Sequence, residues 1–287
     1  MEFWQALLIG LLQGATELFP VSSLGHAVIL PSLLHWSYRQ SDPQFVPFLT
    51  LLHLGTAGAL LVLYRGEWLA IIRGFVRAAF RGRIEAPEER LSMLLMVATI
   101  PAGVIGVFLE HPLRSLFASP RVAAAFLIVN AAILLGAEFL RRRSERRAQL
   151  AGRAREEQEA AYADISGLSF RTAVLIGAAQ SLALLPGVSR SGVTMAGGLV
   201  AGLRHRESAH FSFLLATPII AAAGLLEVPQ LFDGRTPLLE YAVAAVLAGL
   251  AAYLSARFLL RYFGAGRLDP YGYYCAAVGV VALVLLR

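Results

Sequence analysis

The sequence predicts an all-α polytopic membrane protein with two inverted-topology repeats, each one re-entrant helical hairpin plus three transmembrane helices. Three observations carry that expectation. The 287 residues are 57% hydrophobic and only 15% charged, with a mean hydropathy of +0.64, whereas a soluble domain carries about 25% charged residues. Six apolar stretches are long enough to cross roughly 30 Å of hydrocarbon. Two further apolar stretches are each broken near the middle by a polar motif. So few polar side chains cannot coat a water-exposed surface, which excludes a soluble enzyme and a nucleic-acid-binding domain.

The elements follow in order. The N-terminus, MEFWQALLIG, lacks the basic region and cleavage site of a signal peptide and is expected to stay in the membrane domain. Residues 3–34 are apolar but interrupted by TELFPVSSLGH, and residues 172–203 are interrupted by LLPGVSRSG. Each half of these stretches is about 12–17 residues, marginal for a full crossing. Non-helical backbone survives in lipid only where protein buries it or where it lines a wet cavity. Two helical hairpins dipping partway into the membrane satisfy both facts. The simple spans are 45–64, 91–110, 121–140, 210–228, 238–256 and 270–286. The segment 68–80 reads equally well as an interfacial amphipathic helix or as part of a tilted hairpin. The whole chain, 1–287, is then a single membrane domain: a first repeat over 1–140, a charged cytoplasmic linker over 141–171 and a second repeat over 172–287.

Charge sets the orientation. The net charge is +6 and every one of the 25 basic residues is arginine. They concentrate in 65–90 and 141–171, as cytoplasmic loops facing anionic lipid do. Arg171 and Arg204 both fall inside, so 172–203 enters and leaves on the cytoplasmic side. The span 45–64 must reach Arg65 from outside, so 3–34 enters and leaves on the outer side. Opposed hairpins imply an internal repeat, and Ile9-Gly10-x-x-Gln13 recurs as Ile176-Gly177-x-x-Gln180, each followed by a proline and serines. Cys275 is the only cysteine, which excludes an intramolecular disulfide, and its apolar surroundings mark it as a buried filler.

Two polar constellations carry the chemistry. The first is Gln13, Thr16, Glu17, Ser22, Ser23 and His26. Gln13 and Glu17 are four apart and share one helix face, which could present oxygen ligands to a divalent cation. Pro20 ends that helix, and Ser22 or Ser23 can cap the next. His26 lies three residues beyond Ser23, close enough to exchange a proton. The second constellation is Pro186-Gly187-Val188-Ser189-Arg190-Ser191-Gly192-Val193-Thr194. A guanidinium flanked by hydroxyls and glycines at a helix start suits phosphate oxygens. A plain structural ion pair between Arg190 and Glu17 is the alternative. The residues alone lead to a membrane-embedded anion site, plausibly hydrolytic.

The strings from Gln13 to His26 and from Pro186 to Thr194 resemble the two signatures of the undecaprenyl-diphosphate phosphatase family of the bacitracin-resistance type, and the resemblance covers essentially the whole chain. It implies removal of the terminal phosphate of a polyprenyl diphosphate lipid, which recycles the carrier for peptidoglycan synthesis. It also implies a divalent cation, Mg²⁺ or Ca²⁺, and a multi-pass location in the bacterial plasma membrane. Carried over by position, the acidic motif falls on Gln13 and Glu17, as metal ligands, and the serine run falls on Pro20, Ser22, Ser23, Gly25 and His26. Gln13 departs from members that carry glutamate there, so a two-carboxylate metal site is not expected. The expected catalytic groups are Glu17, Ser23, His26 and Arg190, with Ser23 as nucleophile and His26 as its base; attack by His26 or by water are the competitors. Ser22, Gly187, Ser189, Arg190, Ser191 and Thr194 are expected to bind the diphosphate, and the site to open toward the outer side. A transporter or flippase of a lipid phosphate or other anion is the competing class. The bilayer is a partner and nucleic acid is not; a homo-oligomer is left open.

Overall fold

The computed structural model describes residues 2–36, 42, 44–117, 119–150, 164–227, 231 and 237–286, and it is all-α. Helix α1 (Phe3–Leu18) and α2 (Ser23–Leu33) are followed by α3 (Phe45–Leu63) and α4 (Arg65–Arg81). Two long helices come next, α5 (Pro87–Phe117) and α6 (Pro120–Leu150). Helix α7 (Phe170–Ala179) tightens into a 3-10 run over Gln180–Leu184 before α8 (Arg190–Val200). The chain ends with α9 (His205–Glu227), α10 (Leu238–Tyr262) and α11 (Asp269–Leu285).

Both predicted interruptions are real helix breaks, and local chemistry explains each. Phe19 is extended, at φ −67° and ψ 143°, as a residue before proline should be. Ser22 then caps α2, its Oγ accepting the Gly25 N–H at 3.2 Å. Ser189 plays the same part for α8, accepting the Gly192 N–H at 3.1 Å. Side-chain oxygens at these positions satisfy N–H groups that a helix start leaves orphaned.

Among the described residues, four helical stretches are long and apolar enough to cross a membrane: Phe45–Leu63, Pro87–Leu109, Pro120–Arg147 and Leu238–Tyr262. The other two expected spans differ for physical reasons. Helix α11 has 17 residues. Helix α9 opens with His205, Arg206, Glu207 and His210, so its apolar part is shorter than the helix. Helix α6 continues past 140 to Leu150, into the charged stretch. An i,i+4 pair, Arg141 Nε to Glu145 Oε1 at 3.1 Å, supports that extension. Residues 151–163 of the expected linker lie outside the described residues. Segment 68–80 belongs to one continuous helix, α4. Its Ile71, Gly74 and Ala78 are buried, while Leu69, Ile72, Val76 and Phe80 form an exposed apolar stripe.

Helices pack closely across the two halves of the chain. Helix α1 lies on α10, and α7 lies on α5. At both contacts a glycine meets backbone: a Cβ on Gly14 would sit 2.0 Å from the Ala248 carbonyl oxygen, and one on Gly177 2.0 Å from that of Ala98. Small residues at such crossings let membrane helices approach. At one end of the bundle, the fully buried Glu138 of α6 accepts the Leu268 N–H at 2.7 Å and contacts His205 Nε2 at 2.7 Å. That carboxylate ties α6 to the first residue of α9 and to the residue preceding α11.

Candidate active site

The two helix breaks meet beside α6, and one side chain joins them. Asn130 Nδ2 donates to the Pro20 carbonyl at 2.9 Å, and its Oδ1 accepts the Ser189 N–H at 3.0 Å. Ser191 Oγ adds a bond to the Phe19 carbonyl at 3.0 Å. Gly187 has φ +103°, and a Cβ there would lie 2.1 Å from the Ala123 carbonyl oxygen. Only glycine combines that dihedral with that clearance. Opposite it, Ser22 holds φ +67° without being glycine, a strained conformation that its surroundings must enforce. The Gly25 N–H bond to Ser22 Oγ is one restraint; a His26 Nδ1–H bond to the Ser22 carbonyl, at 2.7 Å, is another.

Glu17 is the hub of the site. It is buried at the end of α1, and donors from four other places converge on its carboxylate. Arg190 Nη2 donates to Oε1 at 2.9 Å. Oε2 accepts the Ser23 hydroxyl and, at 3.3 Å, the Gln13 side-chain amide. His53 Nε2, from the middle of α3, lies 3.3 Å from the same oxygen. The other nitrogen of His53 is 2.8 Å from the Leu49 carbonyl. A carbonyl oxygen only accepts, so Nδ1 carries a hydrogen and the Nε2 contact is favourable with a proton shared between imidazole and carboxylate.

A cavity of about 290 Å³ opens on this cluster. Glu17, Ser22 and Ser23 line it from the first break and Ser189 and Arg190 from the second, joined by Thr50 and His53 of α3. Leu24, Leu184, Ile219, Ile220 and Ala223 form an apolar wall beside these groups. The expected groups Glu17, Ser23 and Arg190 are thus brought together. His26 is not brought to Ser23: its ring stacks on Tyr274, and Nε2 meets the Tyr274 hydroxyl at 2.8 Å. Its position in the helix explains this, because helical side chains lean toward the N-terminus and so reach the Ser22 carbonyl. Thr16 and Thr194 bond their own helices, to the Leu12 and Arg190 carbonyls. Gly187 and Ser191 shape the second break rather than line the cavity.

Four polar cavity groups went unremarked as site residues: Thr50, His53, Gln180 and Ser181. Asn130, outside the lining, was missed as well. Each is a polar side chain inside an apolar stretch, an expensive placement that points to a partner. That was the available signal.

The Gln13–Glu17 pair, the expected ligands of a divalent cation, is engaged within the protein. Both Glu17 oxygens are taken by protein donors, and Gln13 Oε1 accepts from Thr56 Oγ1 at 3.3 Å. Mg²⁺ and Ca²⁺ take oxygen ligands from carboxylates, water and substrate phosphates, and Oε1 of this carboxylate accepts from Arg190. Among the described residues no cluster of three or more His, Cys, Asp or Glu is placed to hold a metal.

The sequence pattern of the family described as "Bacitracin resistance protein BacA" matches residues 6–281. The chain is 45% identical over 290 residues to a protein of Chromobacterium violaceum named Undecaprenyl-diphosphatase 2, covering 99% of each. It is 46% identical over 288 residues to an Undecaprenyl-diphosphatase of Acidiphilium cryptum, covering 98% of this chain and 97% of that one. It is 47% identical over 294 residues to an Undecaprenyl-diphosphatase of Granulibacter bethesdensis, covering 100% and 98%.

Proposed function

The chain belongs to the BacA bacitracin resistance family, and from that premise we propose that it is an undecaprenyl-diphosphate phosphatase. It hydrolyses undecaprenyl diphosphate to undecaprenyl phosphate and inorganic phosphate, recycling the lipid carrier for cell-wall synthesis. The observation that carries this reading to particular atoms is the Ser23–Glu17–Arg190 cluster: a hydroxyl already bonded to a carboxylate, beside a guanidinium, in a cavity with one apolar wall.

In the proposed reaction Ser23 Oγ attacks the terminal phosphorus and passes its proton to Glu17. The bond from that phosphorus to the bridging oxygen breaks, and undecaprenyl phosphate departs with the oxygen. Water then cleaves the phosphoserine, releasing inorganic phosphate and restoring the Ser23 hydroxyl. A serine hydroxyl is a weak nucleophile without an adjacent base, and the base in contact with it is Glu17 rather than His26. His26 acts through the Ser22 carbonyl, holding the strained turn that presents Ser23. Arg190 meets charge on the transferring group, the largest contribution a site can make to phosphoryl transfer. A divalent cation held by Glu17 together with the diphosphate oxygens would neutralise charge on the diphosphate, and no step is routed through it. The prenyl tail runs along the apolar wall, where hydrocarbon against hydrocarbon discriminates weakly by length.

The protein is a polytopic bacterial membrane protein, and we place the opening on the outer side. Three helices support this. His53 is 12 residues before Arg65, Ala102 is 12 after Arg90 and Ile220 is 16 after Arg204. At 1.5 Å per residue the cavity lies about 18–24 Å from those arginines. With the arginines at the cytoplasmic face, that depth is past the middle of a core of about 30 Å. Two inverted repeats are supported by the matched breaks and by the exchanged packing of Gly14 on α10 and Gly177 on α5.

The test is phosphate release from undecaprenyl diphosphate by purified protein in detergent, with Mg²⁺, with Ca²⁺ and with chelator, beside Glu17→Ala and Arg190→Ala. Release by the wild type, lost in both variants, is expected. No release from folded wild-type protein under any condition would overturn the reading in favour of anion or lipid-phosphate transport.

A further inference from the structure

We propose that Tyr274, on the last helix, is a positioning residue for the reaction: its hydroxyl fixes which nitrogen of His26 carries the hydrogen, and so holds the turn that presents Ser23. The proposal rests on the phosphatase reading above. Neither Tyr274 nor His26 is among the described residues that line the cavity, so both act through the backbone of the first break.

The Ser22 carbonyl lies 2.7 Å from His26 Nδ1. A carbonyl oxygen only accepts, so Nδ1 carries a hydrogen, and on a neutral imidazole Nε2 is then a bare acceptor. Among the described residues, the donor placed against it is the Tyr274 hydroxyl, at 2.8 Å. The two rings also stack, with centroids 5.7 Å apart and planes 12° from parallel. Take the hydroxyl away and the other tautomer, with its hydrogen on Nε2, becomes competitive. That tautomer turns a bare Nδ1 toward the Ser22 carbonyl, and two acceptors face each other. Ser22 stands at φ +67°, a conformation that persists only where its surroundings enforce it. The bond from His26 is one of those restraints, and Ser23 is the next residue.

The last helix is shaped for this contact. Tyr271, Tyr274 and Cys275 are spaced i, i+3 and i+4 and share one face of α11. Tyr271 meets Phe19 edge-on at 5.6 Å. Cys275 Sγ accepts from Asn130 Nδ2 at 3.4 Å, the same amide nitrogen that bonds the Pro20 carbonyl. One face of α11 therefore backs the break from Phe19 to His26. Of its three contacts, the Tyr274–His26 bond is the one that selects where a hydrogen sits.

The test is Tyr274→Phe, which keeps the ring and its stack and removes only the donor. Nitrogen NMR of protein carrying isotope-labelled histidine reads the tautomer, with His26→Ala identifying the His26 signals. Wild type is expected to show Nδ1–H and a bare Nε2, and Tyr274→Phe to populate the Nε2–H form. Phosphate release from undecaprenyl diphosphate is expected to show kcat lowered about two- to tenfold in Tyr274→Phe, the worth of one neutral hydrogen bond, with KM nearly constant. That loss is expected to vanish when His26→Ala is already present, because the two residues act through one bond. A wild-type ring protonated on both nitrogens, or a Tyr274→Phe protein that keeps the Nδ1–H form, overturns the proposal. So does an unchanged kcat, or an equal loss with and without His26, which would leave Tyr274 a packing residue only. Should the wild type release no phosphate, the phosphatase reading fails by itself, and the NMR comparison still decides whether Tyr274 sets the His26 hydrogen.

Discussion

Replacing Arg190 with lysine separates charge from geometry. The guanidinium has two ends: Nη2 donates to Glu17 Oε1 at 2.9 Å, while Nη1 is buried without a hydrogen-bond partner on a residue that lines the cavity. A lysine keeps the positive charge as a single point and can satisfy Glu17 or the diphosphate, but not both with the original geometry. The loss is one charge-assisted hydrogen bond, worth about 1.5–3 kcal/mol, or roughly 10- to 150-fold in kcat/KM. Arg190→Ala goes further, because it also leaves the buried Glu17 carboxylate without its cation. Such a break costs about 3–5 kcal/mol of stability. Phosphate release from undecaprenyl diphosphate, measured beside a thermal unfolding curve, distinguishes the two variants: Arg190→Lys is expected folded and slow, Arg190→Ala both slower and less stable. A folded Arg190→Lys enzyme with wild-type kcat/KM would refute the assignment of Nη1 to substrate, and Arg190 would then be only a partner for Glu17.

Three other substitutions probe the remaining parts. Glu17→Gln keeps the shape of the hub but removes the base in contact with Ser23; turnover is expected to fall by about 100-fold or more, the usual span of general-base effects, with lipid diphosphate still bound in an equilibrium assay. His26→Ala frees the strained Ser22 turn, so kcat is expected to drop about 10- to 100-fold with KM nearly constant; His26→Asn, which can still donate to the Ser22 carbonyl, is expected to recover part of that loss, and no difference between the two would deny the positioning role. Asn130→Leu strands the Pro20 carbonyl and the Ser189 N–H, each costing about 1–3 kcal/mol, so a fall of several degrees in Tm should accompany reduced activity.

What could be read from the sequence was what local rules govern. Proline after Phe19 and serines at the two helix starts impose breaks whatever surrounds them, and four-residue spacing sets Gln13 beside Glu17. Even the Glu17–Arg190 contact was visible as an alternative, since two broken helices with one buried charge each have few other ways to pair them. His53, Asn130 and Gln180 were not legible as site residues because nothing adjacent in sequence gives them meaning; they contact Glu17, Pro20 and Ala98, which lie 36, 110 and 82 residues away in the chain. His26 shows the reverse difficulty. Its spacing from Ser23 suggested a catalytic pair, but a side chain one turn into a helix competes for the carbonyl behind it, and the Ser22 carbonyl won. The span boundaries shifted for a similar reason. Hydropathy marks where a helix is apolar, while Arg141–Glu145 pairing and backbone hydrogen bonds decide where it ends.

The arrangement of satisfied and unsatisfied groups divides the labour of the site. At the first break, Ser23, Glu17 and Gln13 are bonded to one another before any ligand arrives, and His53 buttresses them from α3. Reacting groups held this way lose little entropy on reaching the transition state. Among the described residues, every buried cavity-lining side-chain atom without a partner belongs to the second break: Arg190 Nη1, Gln180 Oε1 and Ser181 Oγ. The groups proposed to react are therefore the bonded ones of the first break, and the open positions lie on the second. Asn130 holds the two in register from a third element, through one donor and one acceptor of a single amide. Moving either break relative to the other must cost one of those bonds, so Ser23 and Arg190, the proposed nucleophile and anion clamp, are held relative to each other by the same few atoms that join the breaks.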